Sequence, residues 1–188
     1  MTSTAADHQE LDAQASVHPE FARWRRGYGV IHHSEDTQRQ ALELADKLVA
    51  DGLQPDHGSV FRQLAALDRL SSAGLWLVVH MTYADRVWPD GRHLDAPDYK
   101  PRPEGHTGGA LNMVPAYAGY LALNNLTGTT RSWVMGQGHC VAAIEALNVL
   151  TGNLHPEQRA RYSATADGLS ALRKCAVRKC LPRERHGA

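Results

Sequence analysis

GHTGGALNMVPAYAGYL, residues 105–121, places a histidine between glycines and continues directly into an apolar run. VMGQGHCVAAIEAL, residues 134–147, repeats this arrangement with a second histidine. Glycines let a ligand approach the backbone closely, and a helix that begins after them presents unpaired N–H groups and the positive end of its dipole. A helix start of this kind favours a bound anion, so both stretches predict contact with a phosphate group.

The segments around these two stretches predict an α/β fold. TRSWVMG, residues 130–136, is short and apolar and ends in glycine, which predicts a buried strand near 132–136. Ser34 can cap a helix that Gly52 ends, and a second glycine, Gly152, can end the last one. The apolar periodicity predicts helices at residues 35–50, 60–84, 110–126 and 139–151. Helix, strand, glycine turn and helix in this order are typical of a parallel sheet covered by helices.

The remaining segments set the domain boundaries. Residues 1–33 are mostly polar and are expected to form a flexible leader, followed by a domain over residues 34–172. Residues 88–105 contain four prolines and predict a long extended loop. Six of the 16 residues in 173–188 are basic, and apolar periodicity stops there. This basic tail is expected to be disordered, and a shifted or prematurely ended reading frame is favoured over a basic arm that binds an acidic partner.

Composition limits the possible classes of protein. The formal net charge is +0 at pH 7, which gives no overall attraction to nucleic acid or to a membrane surface. No apolar run reaches the length of about 18 residues typical of a spanning helix, and no signal peptide is visible. Three cysteines do not suggest a disulfide framework, so a cytoplasmic location is expected. No aromatic residue follows Tyr162, so the basic tail offers no ring on which a nucleic-acid base could stack. This argues against nucleic-acid binding by base stacking.

Two common site patterns are incomplete. Gly136 and Gly138 follow the predicted strand, but Val141 stands where a dinucleotide-binding motif needs its third glycine. The chain has 11 histidines but no HExxH motif and no CxxC pair, so no metal site is predicted. His80 lies within the apolar stretch LWLVVHMTY, where a hydrogen-bonded core histidine is the favoured interpretation and a substrate contact the weaker one.

From Ser59 to Leu172 the chain resembles the N-terminal part of the phosphoketolases, which are relatives of transketolase. The phosphoketolase pattern GHWGTTPGLNF followed by GPGHGG corresponds here to GHTGGALNM and GQGHCV. The two histidines, His106 and His139, are 33 positions apart, as in the family pattern. The resemblance implies part of a transketolase-like, thiamine-diphosphate-binding domain, helix-rich and carrying the first strands of a parallel sheet.

The resemblance also implies an activity and a site. Phosphoketolases are aldehyde-lyases of carbohydrate metabolism that cleave a ketose phosphate and transfer a two-carbon unit to inorganic phosphate, using thiamine diphosphate with Mg²⁺. By this resemblance His106 and His139 are the catalytic residues, because histidine exchanges protons near neutral pH. Gly136, Gly138 and His139 would contact the cofactor, and His80 is the weaker candidate for substrate binding.

The chain lacks the remainder of the family's site. The family's GDG…N motif, which binds the metal and the diphosphate, is absent, as is the later segment that carries the cofactor-activating glutamate. The expectation is therefore a fragment or subunit that is inactive alone and requires a missing C-terminal portion or partner subunit, forming a homo-oligomer when complete. Two alternatives remain: a non-catalytic binding or regulatory domain that retains the fold, and part of a transketolase-like transferase.

Overall fold

The computed structural model describes residues 5–136 and 138–172; the side chains of residues 5–7 and of residue 139 lie outside this description, as does the whole predicted tail. Within these residues the chain folds into α-helices joined by loops, with two short 3-10 turns at Ala96–Asp98 and Gly138–Cys140. The α-helices are α1 Ala5–Val17, α2 Pro19–Trp24, α3 Glu35–Ala50, α4 His57–Tyr83, α5 Thr107–Thr127, α6 Val141–Thr151, α7 Pro156–Arg161 and α8 Ala166–Leu172.

The predicted α/β fold with a parallel sheet is wrong for the described part of the chain. Two isolated antiparallel bridges, Tyr28 with Ile31 and Ala84 with Tyr99, are the only β pairing there. The predicted strand at 130–136 is an irregular segment, and its Val134 side chain is 91% exposed. The described residues therefore form an all-helical structure rather than a layer of helices on a sheet.

The segment before Val134 bonds to α5 instead of to another strand. The N–H of Arg131 donates to Oδ1 of Asn124 at 3.2 Å, and the hydroxyl of Tyr120 donates to the carbonyl of Arg131. The rings of Tyr120 and Trp133 lie 5.0 Å apart between centroids. Because helix side chains satisfy the backbone and the aromatic ring packs on the same helix, the apolar residues of this segment need no β ladder.

The four predicted helices are confirmed as α3, α4, α5 and α6. Ser34 caps α3 as expected, because its Oγ accepts a hydrogen bond from the N–H of Thr37 at 3.2 Å. Gly52 and Gly152 follow α3 and α6 with φ angles of 69° and 70°, the left-handed conformation that commonly ends a helix. Local capping signals were thus sufficient to place these helix ends.

The chain forms two compact units that are each assembled from separate pieces of sequence. Unit 1 comprises Met1–Ser72 and Ala118–Trp133, and unit 2 comprises Ala73–Tyr117 and Val134–Ala188. Helices α4 and α5 each contribute one part to unit 1 and the other part to unit 2. The sequence had predicted one continuous domain over 34–172, which differs from this division.

Unit 1 has an aromatic core that includes the predicted leader. Phe21 and Trp24 of α2 pack with Phe61 of α4, with ring centroids 5.1 Å and 5.6 Å from that phenylalanine. Leu11 of α1 is 1% exposed in the same core. The expectation of a flexible, separate leader over residues 1–33 therefore fails over the described residues, because helices α1 and α2 supply part of the core. Weak apolar periodicity hid α1, because its described side chains bury little more than this leucine.

Unit 2 packs helices α4, α5 and α6 closely around Gly74. A Cβ atom at Gly74 would lie 2.7 Å from Cδ2 of Leu147 and 3.0 Å from Cγ1 of Val114. Helix α4 continues through this glycine. Gly74 is a point of close helix approach, and this packing offsets its poor helix propensity.

The serine cap gives a stability prediction. We expect Ser34→Ala to lower the free energy of unfolding by about 1 kcal/mol, because the N–H of Thr37 loses its acceptor. Ser34→Asp retains an acceptor at the same position and serves as the matched control, with nearly unchanged stability. Urea denaturation followed by circular dichroism measures both variants, and equal loss in the two would contradict the role of the cap.

Among the described helices, none combines the length and the hydropathy that crossing a lipid bilayer requires. The finding concerns the described residues alone.

Candidate functional site

His106 lies immediately before α5, at the edge of the loop that precedes this helix. Its side chain is exposed, and its carbonyl accepts a hydrogen bond from the N–H of Ala110 at 3.1 Å. The first turn of α5 is Thr107, Gly108 and Gly109, and it contains no acidic residue. A Cβ at Gly108 would meet no atom within 4 Å. The helix start beside His106 therefore has open space at Gly108, and the predicted ligand contact stays a prediction.

The second histidine motif also precedes a helix. Gly138–Cys140 forms a 3-10 turn that leads directly into α6. Gly136 and Gly138 are exposed, and a Cβ at either would meet nothing within 4 Å. These glycines leave space beside the backbone where the sequence predicted a cofactor contact. The side chain of His139 lies outside the described part of the structure, so its predicted catalytic role stays a prediction.

Helices α5 and α6, which follow the two histidine motifs, are packed together in unit 2. Gly74 of α4 lies against both Val114 of α5 and Leu147 of α6. The hydroxyl of Tyr117 donates to Oδ1 of Asn148 at 3.0 Å, about one turn further along α5. These contacts lie about two to three turns after the start of each helix.

His80 belongs to a different surface. Its Nδ1 lies 2.9 Å from the carbonyl oxygen of Trp76, one turn earlier in α4, and its ring centroid lies 3.9 Å from that of Trp76. Trp76, Val79 and Tyr83 are exposed by 37%, 37% and 42%. The described contacts of His80 are thus with its own helix, and they leave its predicted substrate contact a prediction.

Glu145 is a buried acid that the sequence analysis did not single out. It is 3% exposed within α6, whose other buried residues are Ala142, Ala143, Ala146, Leu147 and Val149. No ion pair or hydrogen bond of its carboxyl is found among the described residues. Burial raises the pKa of Glu145, because an apolar environment disfavours the charged form. In the sequence, Glu145 is the one charged residue of VAAIEALNVL, and this pattern could have identified it.

The described side chains do not form a metal site. They contain no group of three or more His, Cys, Asp or Glu residues that could hold an ion. Cys140 is fully buried at the end of the 3-10 turn.

Comparisons with known proteins add no relative. No protein-family model, no curated protein and no solved structure matches this chain. The resemblance to phosphoketolases accordingly rests on the two histidine motifs and their spacing, and the functional assignment that follows is a proposal.

Proposed function

We propose that this chain supplies the histidine-bearing part of a sugar-phosphate site in a phosphoketolase-like enzyme that uses thiamine diphosphate. The main support for this proposal is that two histidine motifs with flanking glycines each precede a helix. One helix begins at Thr107 after His106, the other follows Gly138–Cys140, and the two pack together in unit 2. One glycine-flanked histidine is a common turn; two on packed helices, with the family's spacing, favour a shared ligand.

The start of α5 is suited to a phosphorylated substrate. The N–H groups of the first helical turn have no partner within the helix, and the helix dipole adds a partial positive charge. Gly108 leaves this turn open, and no carboxylate within it repels an anion. Beside it, the exposed imidazole of His106 can donate a hydrogen bond to a substrate hydroxyl or accept one from it. The phosphate and the hydroxyl would then be held by adjacent residues of one loop and helix.

The cofactor fits this chain only in part. Bound thiamine diphosphate would supply the carbanion chemistry that breaks the carbon–carbon bond of the ketose phosphate. The open backbone at Gly136 and Gly138 has room beside it for a cofactor group. No described cluster can hold the Mg²⁺ that accompanies the diphosphate. We therefore propose that another polypeptide, or a further portion of the protein, supplies that end of the site.

His106→Ala is the direct test of the substrate site. We expect the purified chain to bind fructose 6-phosphate weakly and the variant to bind it at least about tenfold more weakly. A tenfold change in affinity corresponds to roughly 1.4 kcal/mol, which is what one good polar contact contributes. Isothermal titration calorimetry measures both. His93→Ala removes an exposed histidine from the long loop outside the motif and is the matched control, with unchanged binding.

Two results would contradict the proposal. One is equal fructose 6-phosphate affinity in the wild-type chain and the His106 variant. The other is release of acetyl phosphate by the isolated chain given fructose 6-phosphate, inorganic phosphate, thiamine diphosphate and Mg²⁺, because the proposal requires a missing part. Binding of the sugar phosphate that survives His106→Ala would instead support the alternative of a non-catalytic binding domain.

A further inference from the structure

A separate cleft in unit 2 lies between the loop that follows α4 and helix α8. It has a volume of about 360 Å³ and is lined by Asp85, Arg86, Trp88, Ala166, Asp167 and Ser170. Pockets for small molecules begin at roughly 300 Å³, so the cleft has room for a small metabolite. It includes none of the residues of the histidine motifs.

The two walls of the cleft are anchored by backbone hydrogen bonds. The N–H of Val87, a fully buried residue, donates to Oγ of Ser170 at 3.1 Å and so joins the loop to α8. The N–H of Asp85 donates to the carbonyl of Asp98 at 2.6 Å. These bonds fix the backbone from which the charged side chains of the cleft extend.

Three charged residues line the cleft: Asp85 and Arg86 on the loop, and Asp167 on the opposite wall, in α8. Arg86 and Asp167 form no ion pair within the described residues, with each other or with a third group, and the guanidinium of Arg86 lies 6.0 Å from the centroid of the Trp88 ring. The neighbouring Arg92 differs, because it pairs with Asp90 at 2.6 Å and lies 4.2 Å from the centroid of the Trp88 ring. Arg92 is therefore neutralised beside the cleft, while Arg86 and Asp167 remain available to a ligand.

We propose that this cleft binds a small zwitterion of the amino-acid class. The guanidinium of Arg86 suits a carboxylate, which it can bind through two parallel N–H groups. The carboxylate of Asp167 suits an ammonium group, and the indole of Trp88 offers an apolar wall for the stem between the two charges. A ligand with both charges neutralises both walls at once, whereas a ligand with one charge leaves the opposite wall uncompensated.

Matched probes distinguish a zwitterion site from a site for either charge alone. L-leucine and 5-aminopentanoate carry both charges at different spacings; 3-methylbutylamine and pentylamine retain the ammonium group, and 4-methylpentanoate and pentanoate retain the carboxylate. We expect saturable binding of at least one zwitterion to the full chain by ligand-observed NMR, and at least tenfold weaker binding of its two singly charged analogues.

Arg86→Gln and Asp167→Asn are each expected to weaken binding of that zwitterion at least tenfold. Both side chains are exposed, so the circular dichroism spectrum and the thermal midpoint should stay unchanged. Arg102→Gln, in the exposed loop away from the cleft lining, is the matched control and should bind normally. Absence of saturable binding of both zwitterions up to about 10 mM would overturn the proposal. Equal binding of charged analogues, or full binding by either cleft variant, would also overturn it.

Discussion

Replacing His33 by alanine is expected to lower the free energy of unfolding by about 3–5 kcal/mol at pH 7, because it leaves a buried carboxylate without its partner. In unit 1, Nε2 of His33 lies 2.8 Å from Oδ2 of Asp68, and each side chain is only 7% exposed. The imidazole also stacks on Trp24, with ring centroids 4.0 Å apart. The variant loses this hydrogen bond and the stacking together.

The pH dependence of this loss follows from Asp68. Burial raises the pKa of Asp68 above its ordinary value of 3.8, and the hydrogen bond and the charge of His33 partly oppose that rise. A raised carboxyl pKa contributes stability that declines as the pH increases above the unfolded value. Without His33 the opposition is removed, so the pKa of Asp68 rises further. The deficit of His33→Ala should therefore be largest near pH 7 and should shrink as the pH falls toward 4.

A double variant separates the buried charge from the rest of the effect. Asp68→Leu combined with His33→Leu removes both charges and fills the space with apolar side chains, which is often neutral for a buried pair. We expect the double variant to be more stable than His33→Ala and His33→Leu in urea denaturation. The exposed pair of Asp90 and Arg92 is the surface control, and Asp90→Asn should leave the midpoint unchanged. A double variant whose loss of stability equals the sum of the losses in His33→Leu and Asp68→Leu would contradict this account.

Glu145→Leu is expected to stabilise the protein at pH 7 by about 1–3 kcal/mol, the range for a buried polar group without a partner. Glu145 is 3% exposed in α6, and burial alone raises its pKa. Because the unfolded chain releases this proton more readily than the folded protein, stability falls as the pH rises above the ordinary value of 4.5. The leucine variant should lack this decline.

Thermal unfolding at pH 4 and pH 7 tests the role of Glu145. The gain from Glu145→Leu should be smaller at pH 4, where the acid is protonated in both the folded and the unfolded protein. Glu145→Gln retains a neutral polar group of the same size and should remove the pH dependence while gaining less than leucine. A gain from leucine that is equal at both pH values would show that ionisation of Glu145 is not the cause.

The helices of this fold were readable from the sequence because their signals are local. Ser34, Gly52 and Gly152 each specify a helix end through their own hydrogen bonds or φ angle. The packing of α2 into the core could not be predicted from the sequence, because it depends on Phe61, which lies 40 positions after Phe21. Apolar periodicity within a six-residue helix is too short to reveal such a contact.

The failed strand shows a second limit of sequence patterns. The short segment TRSWVMG, residues 130–136, fits either a buried strand or a segment that packs on a helix. Which of the two forms depends on the residues that contact it. Here Tyr120 and Asn124 of α5 bind the backbone of Arg131, and neither contact leaves a repeating pattern in the sequence. For the site, the open helix start beside His106 was predicted from its glycines. The buried carboxyl of Glu145 was missed because its burial depends on packing around α6.

The discontinuous make-up of unit 1 has a consequence for the nascent chain on the ribosome. Leu126, which is 3% exposed in the core of unit 1, receives a hydrogen bond at its carbonyl from Nε2 of Gln54 at 2.8 Å. At a synthesis rate of about 5–20 residues per second, roughly 5–20 s separate the addition of Phe21 from that of Leu126. During this interval the early aromatic residues lack part of their final core, which makes the emerging protein a client for chaperones that bind apolar segments. A messenger truncated before codon 118 would leave unit 1 permanently without this closing piece.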